Sequence, residues 1–130
     1  ICAATTSSTP VFHYQDLKSG VHINGVGSFQ PSMQEIDSET IKNALVFVDS
    51  RESALSETGD LTIPIQEGII GKNHLRAEIG ELLENPSLGR NTPDEITFFK
   101  SCGVAVQDVV AAGMALEQAK KHNLGRIIRM

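Results

Sequence analysis

The stretch from His22 to Pro31 most constrains what this chain can fold into. Its first half lies within residues 21–26, which predict a buried strand, and its second half opens into a loop that contains Gly27. A buried strand that runs into such a loop is typical of open α/β sheets, which bind ligands beyond the carboxyl ends of their strands. We therefore take the loop that follows this strand as the candidate ligand site.

The rest of the chain alternates between strands and helices, which predicts an α/β fold with a mainly parallel sheet. The clearest strand is Leu45–Val48, where four consecutive apolar residues indicate burial on both faces. The other predicted elements are strands over 1–4 and 96–99 and helices over 37–43, 51–58, 74–84 and 104–121. Asp37 is the expected cap of the first helix. Gly59 should close the second, and Pro64 argues against a regular helix within 60–71.

Charge and composition exclude several classes of function. The 130 residues suffice for one domain, and a net charge of −5, with no basic cluster apart from Lys120-Lys121 and scattered C-terminal arginines, argues against a nucleic-acid partner. No apolar run reaches the roughly 20 residues that cross a bilayer, so we expect no membrane partner. Cys2 and Cys102 lack metal-binding spacing and are expected to be buried, reduced thiols, which favours a cytoplasmic location.

Three of the predicted strands end in small, polar or glycine-containing loops, over 4–8, 26–29 and 101–103. If these strands are parallel neighbours, the loops share one rim of the sheet. The first loop could bind an anion or ribose through hydroxyls and free amides, or form only a Ser/Thr turn. The third leads into the long helix, whose first N–H groups favour an anionic or electron-rich ligand. Asp49, at the end of the fourth strand, is expected to cap the next helix.

The residues alone give no catalytic constellation. Ser28, Ser101 and Cys102 lack a recognisable His–Asp pair, and there is neither a GxGxxG turn nor a phosphate-binding loop. His22, within a strand, is expected to be a packed and hydrogen-bonded core histidine. The other histidines are expected on the surface, and no metal site is predicted: His13, His74 and His122.

Several strings, taken in chain order, resemble the ornithine cyclodeaminase/μ-crystallin family. They are Gly20-Val21-His22-Ile23-Asn24-Gly25-Val26-Gly27-Ser28, Glu35-Ile36-Asp37, Val48-Asp49-Ser50-Arg51, Gly59-Asp60-Leu61, Gly89-Arg90, Asp94-Glu95-Ile96-Thr97 and Ser101-Cys102-Gly103-Val104-Ala105-Val106-Gln107-Asp108. The resemblance extends over essentially the whole chain. It implies a Rossmann-type doubly wound sheet and an enzyme that depends on NAD or NADP.

The resemblance also implies that the chain is the C-terminal portion of such a protein. Residues 1–103 would form part of the NAD(P)-binding domain, and residues 104–130 a helix and tail that pack on a missing N-terminal, dimerisation region. The Gly-rich dinucleotide turn and the residues that bind the ribose and the substrate carboxylate would lie upstream. The expected partners are that missing portion, a second subunit in a homodimer and a small imino or amino acid. The isolated chain is expected to be inactive.

Position within the family assigns the candidate site residues. Phe29 and Cys102 would lie next to the substrate, and Phe29 stands where the cyclodeaminase branch has a catalytic Asp. Because a phenyl ring cannot transfer protons, the resemblance favours reduction of a cyclic ketimine, of the pyrroline- or piperideine-2-carboxylate type. Cyclisation of ornithine and a non-catalytic, μ-crystallin-type role are the alternatives. The residues expected to bind the cofactor are Ala3, Ala4, Thr5, Val26, Gly27, Ser28 and Ser101.

Overall fold

A computed structural model describes residues 1–126 and residue 128. The described residues form five strands, β1 (Cys2–Ala3), β2 (His22–Gly25), β3 (Leu45–Val48), β4 (Leu75–Glu78) and β5 (Thr97–Lys100). They also form five α-helices, α1 (Ser38–Asn43), α2 (Arg51–Glu57), α3 (Gly59–Gln66), α4 (Ile79–Glu84) and α5 (Ala105–Lys121). Short 3₁₀ turns occupy Tyr14–Asp16, Lys72–His74 and Pro86–Leu88.

The strands form one sheet in the order β1-β2-β5-β3-β4, and every neighbouring pair is parallel. The predicted α/β class is therefore confirmed. β3 has the predicted bounds, whereas β5 begins and ends one residue later than expected. The side chain of Asp37 accepts a hydrogen bond from the Thr40 amide, so the predicted cap of α1 is also confirmed.

One face of the sheet carries the core. Ile23, Val46 and Phe98 have no exposed surface, and they pack with side chains of α1, α2 and α3. The opposite face carries His22, which is exposed, so the prediction of a core histidine is wrong. The predicted hydrogen bonding is present, because the His22 ring bonds the Thr97 hydroxyl at 2.8 Å. The periodicity of a strand accounts for the error, since successive side chains point to opposite faces.

The predicted break at Pro64 is wrong, because α3 runs through it. Thr58 ends α2 and its side chain then accepts a hydrogen bond from the Asp60 amide, which starts α3. Gly59 is thus the first residue of α3 instead of the residue that closes α2. A Cβ at Gly59 would lie 2.7 Å from the Pro31 carbonyl oxygen. Burial of Leu61 and of Pro64 itself outweighs the hydrogen bond that a proline cannot make.

The predicted helix over 74–84 is also wrong in its first half. Residues 75–78 form β4 beside β3, with Leu75 and Ala77 buried, and α4 begins only at Ile79. Spacing of apolar residues at 75, 79 and 82 fits a helix, but Leu83 is 78% exposed, so the helical stripe does not reach the core. Pairing with β3 decides the conformation of this segment.

The long helix α5 is present as predicted, and its apolar side chains are exposed. Val106, Val109 and Leu116 are each more than half exposed, and no residue of α5 is buried. The expected tail after this helix includes Ile127, which lies outside the described residues. Among the described residues, no helix combines the length and the apolar character needed to cross a bilayer.

Candidate functional site

The loops that follow β1, β2 and β5 lie along one rim, because these three strands are neighbours and parallel. The shared rim expected for the three loops is therefore present. Backbone bonds join the loops where they leave the sheet. The Val26 amide donates to the Ala3 carbonyl at 2.8 Å, and the Ser101 amide donates to the Gly25 carbonyl at 3.0 Å. Ala4, Thr5, Val26 and Phe29 are exposed at this rim.

A buried carboxylate holds the first two loops together. Glu35 has no exposed surface, and its carboxylate accepts hydrogen bonds from the amides of Thr5, Gly27 (2.8 Å) and Ser28 (3.1 Å). The amide of Thr5 is therefore bonded within the chain. The loop that follows β1 forms the Ser/Thr turn that was the alternative, since the Ser7 amide donates to the Thr5 hydroxyl.

Gly27 lies where these two loops come closest. A Cβ at this position would lie 2.5 Å from the Thr5 amide nitrogen and would overlap the Thr5 carbonyl oxygen and the Glu35 carboxylate. Only a residue without a side chain fits there. The glycine is needed for the approach of the two loops.

The Ser28 side chain points into the protein. It is fully buried, and its hydroxyl donates to the Met33 carbonyl at 2.6 Å and bonds the Thr58 hydroxyl at 2.8 Å. Ala3 is also buried, with 3% of its surface exposed. Of the predicted cofactor-binding residues, these two can offer a ligand little beyond their backbone.

Asp49 organises the third loop. One carboxylate oxygen accepts from the Ser101 hydroxyl at 3.1 Å, from the Cys102 amide at 2.8 Å and from the Gly103 amide at 2.9 Å. The prediction that Asp49 caps α2 is wrong, because Ser50 caps that helix. The amides of Cys102 and Gly103 therefore already bond an anion, which is part of the chain itself.

The thiol of Cys102 is half-buried and free. Burial, together with the negative charge of Asp49, raises its pKa to about 11. Near neutral pH the side chain is therefore an uncharged thiol. Cys2 is exposed on the face of the sheet opposite the core, so the expectation that both cysteines are buried is wrong for Cys2.

Two buried charged residues beneath the rim were not assigned a role from the sequence. Lys100, the last residue of β5, and Asp60, in the first turn of α3, have no exposed surface, and Lys100 Nζ lies 3.6 Å from Asp60 Oδ2. The other oxygen of Asp60 accepts from the amides of Glu35 (2.7 Å) and Ile36 (3.1 Å). Burial raises the pKa of Asp60, against the opposing effects of these amides and of Lys100. A lysine at the end of an apolar strand is the signal that could have revealed the pair.

Comparison with known proteins decides the family. The model of the ornithine cyclodeaminase/mu-crystallin family matches residues 1–123. The chain belongs to this family. Among curated members, the Δ1-pyrroline-2-carboxylate reductase of Bacillus cereus (strain ATCC 10987 / NRS 248) is 46% identical over 129 residues. That alignment covers 98% of this chain and 39% of the reductase.

Solved structures of family members have the same fold. The Thermococcus litoralis Δ1-pyrroline-2-carboxylate reductase, in complex with NADH and L-proline, superposes with a TM-score of 0.91 at 39% identity, over 98% of this chain and 39% of that one. An archaeal alanine dehydrogenase dimer with bound NAD gives 0.87 at 36% identity, over 99% and 40%. The sheet is therefore of the Rossmann type found in this family. The chain spans about 39% of the length of the reductases it matches.

Proposed function

We propose that the protein containing this chain reduces a cyclic ketimine of the Δ1-pyrroline-2-carboxylate type with NADH or NADPH. The observation that carries the proposal is the 46% identity to a reductase of that name over 98% of the chain. The relative whose complex holds NADH and L-proline has the same arrangement of strands, which supports a ligand site at the same rim.

The rim fits the nicotinamide part of such a cofactor better than its pyrophosphate. The amides of Thr5, Gly27, Cys102 and Gly103 already donate to Glu35 or Asp49. They are therefore not free to bind phosphate oxygens, whereas an uncharged ring needs apolar contact and space. Of the residues that the family resemblance implies, Val26, Gly27 and Ser28 would lie on the nicotinamide side, and Ser101 would close over the ring. Ala3, Ala4 and Thr5 would line the cleft on the adenosine side. The cofactor would supply the hydride.

Phe29 and Cys102 would lie on the substrate side. The ring of Phe29 is 56% exposed at the rim and carries no titratable group. The thiol of Cys102 stays protonated because its pKa is about 11. Neither side chain can act as a base near neutral pH. Their contribution is therefore to orient the imine and to exclude water, and this favours hydride transfer over the proton transfers of ornithine cyclisation.

The remaining assignments concern the rest of the molecule. We propose that residues 1–103 form part of a dinucleotide-binding domain and that residues 104–130 pack on a region outside this chain. The exposed apolar residues of α5 support this arrangement, because large apolar surfaces are normally covered. We further propose a homodimer, as in the named alanine dehydrogenase dimer, and a cytoplasmic location.

The test uses the full-length protein, meaning the complete polypeptide that contains this chain. Purified protein is mixed with Δ1-pyrroline-2-carboxylate and either NADH or NADPH. Loss of reduced-nicotinamide absorbance with formation of proline is the expected result, and the faster cofactor gives the preference. Release of ammonia from ornithine instead would favour a cyclodeaminase. Cofactor binding without turnover of any imine would favour a non-catalytic, dinucleotide-binding protein.

A further inference from the structure

We propose that Glu35 is a positioning residue, which holds the loops after β1 and β2 in one arrangement at the rim and receives its own position from Asp60 and Lys100. Glu35 is fully buried, so it would act on a ligand only through the backbone of the two loops that it bonds. Its role would be to set where the ligand-lining backbone lies. The assignment of a cofactor to these loops rests on the proposed function, whereas the hydrogen bonds do not.

The carboxylate of Glu35 is arranged to hold both loops at once. One oxygen accepts from the Thr5 amide in the loop after β1, and the other accepts from the Gly27 and Ser28 amides in the loop after β2. A carboxylate that accepts several backbone N–H groups makes stronger bonds than a neutral acceptor. The side chain has no exposed surface, so water cannot replace it as a partner without rearrangement of the loops.

The backbone of Glu35 is itself fixed from a second direction. Its amide, and that of Ile36, donate to one oxygen of Asp60. The other oxygen of Asp60 faces Lys100 Nζ at 3.6 Å, and Lys100 directly precedes Ser101 in the loop after β5. The three buried side chains therefore connect all three loops of the rim. A shift of Glu35 would change the position of two loops that contain five of the seven predicted cofactor-binding residues, all except Ala3 and Ser101.

The close packing at Gly27 explains why the two loops share Glu35 as an acceptor. The glycine lies against both the Glu35 carboxylate and the Thr5 backbone, where a Cβ would overlap them. Two loops that approach so closely need a common acceptor for their amides, because buried unsatisfied N–H groups are costly. Glu35 is that acceptor.

The test begins with the unmodified full-length protein. Hydrogen exchange, followed by NMR, should find the amides of Thr5, Gly27 and Ser28 protected, although all three lie in loops. Rapid exchange at these three amides would overturn the proposal and needs no variant. In Glu35→Gln, one side-chain donor would face a backbone donor. Exchange over residues 4–8 and 26–29 should then rise at least about tenfold, while exchange in β3 stays unchanged.

Cofactor affinity provides the second measurement. Glu35→Gln should raise the Kd for NADH or NADPH about tenfold, and should raise the KM for the cofactor more than it lowers kcat at saturation. The matched control is Glu39→Gln, which removes the same charge from an exposed position of α1 and should change neither exchange nor affinity. Wild-type affinity in a Glu35→Gln protein would overturn the positioning role. If the unmodified protein binds neither cofactor, the proposed function fails, and the exchange results alone decide whether Glu35 holds the loops.

Discussion

The Nζ atom of Lys100 lies 3.6 Å from Oδ2 of Asp60, and neither side chain has any exposed surface. The separation is that of an ion pair without a hydrogen bond, and neither atom has a hydrogen-bond partner among the described residues. Such a pair is costly to desolvate and more costly to break, because removal of one partner leaves an uncompensated buried charge. The pair links β5 to the backbone of Glu35, because Asp60 also accepts a hydrogen bond from the Glu35 amide.

A double-mutant cycle tests this coupling. Asp60→Asn and Lys100→Met, made singly in the full-length protein, should each destabilise the domain by about 3–5 kcal/mol, because each leaves one buried charge alone. The double variant should be more stable than either single variant. The order of thermal midpoints, with the wild type highest and the double variant in second place, is the measurement. Additive losses would contradict coupling between the two side chains.

The folding stability of the single variant Lys100→Met should also depend more strongly on pH than that of the wild type. Burial already raises the pKa of Asp60 above its usual value of 3.8, and Lys100 opposes that rise. A carboxyl group whose pKa is raised by folding contributes stability below its unfolded pKa, and that stability is lost as pH rises through the folded pKa. Without Lys100 the folded pKa is higher still, so the variant should lose stability over a wider range as pH increases from about 4. Thermal midpoints measured across this range, against Lys42→Met on the exposed side of α1, provide the check.

Asp49→Asn should loosen the loop that leads into α5. One oxygen of Asp49 accepts three hydrogen bonds from residues 101–103, and the other accepts from the Ser50 amide. An amide group must place its NH₂ towards donors on one of these sides. We expect the free energy of unfolding to fall by about 1–3 kcal/mol and hydrogen exchange at Cys102 and Gly103 to become faster. Asp108→Asn, at an exposed position of α5, is the control and should leave exchange at residues 102 and 103 unaltered.

Gly27→Ala should lower both the thermal midpoint and the affinity for NADH, whereas Gly80→Ala should lower neither. A Cβ at Gly27 would lie 2.5 Å from the Thr5 amide nitrogen, but a Cβ at Gly80 would meet nothing within 4 Å. Because Gly80 lies in α4, alanine there should stabilise the helix by about 0.5–1 kcal/mol. The measurements are the thermal midpoint and the affinity for NADH. A Gly27→Ala protein with unchanged affinity would mean that the two loops can separate without consequence for the ligand.

The sequence predicted the parts of this fold that depend on local pattern. The apolar run of β3, the Asp37 cap of α1 and the long helix α5 are all encoded within a few residues, and all were found. β4 was missed because its apolar residues also fit a helical spacing, and only pairing with β3 distinguishes the two. Hydrophobic periodicity and helix caps can be read from local sequence, but the pairing of one strand with another cannot.

The candidate site was predicted less completely, for a related reason. Its rim follows from parallel neighbours, which the sequence indicated, but its buried carboxylates do not. Glu35 lies 30 residues from Thr5, and Asp60 lies 25 residues from Glu35. No local pattern indicates that such acids will be buried and will bond the backbone of distant loops. The amides of Thr5, Cys102 and Gly103, in two of the loops expected to bind a ligand, are therefore bonded to the chain's own acids.

The thiol of Cys102 offers a measurement at the rim itself. Burial and the negative charge of Asp49 raise its pKa from 9.0 to about 11. Because the thiolate is the reactive form, alkylation by iodoacetamide near neutral pH should be roughly a hundredfold slower than for a thiol of pKa 9.0. The rate should continue to rise about tenfold per pH unit until the pH approaches 11.

The experiment uses Cys2→Ser, which removes the exposed thiol, and follows modification of Cys102 by peptide mass spectrometry. A rate that levels off near pH 9 would contradict the burial and the proximity of Asp49 from which this prediction was derived. In Cys2→Ser/Asp49→Asn the rate at each pH should increase, because the adjacent negative charge is gone.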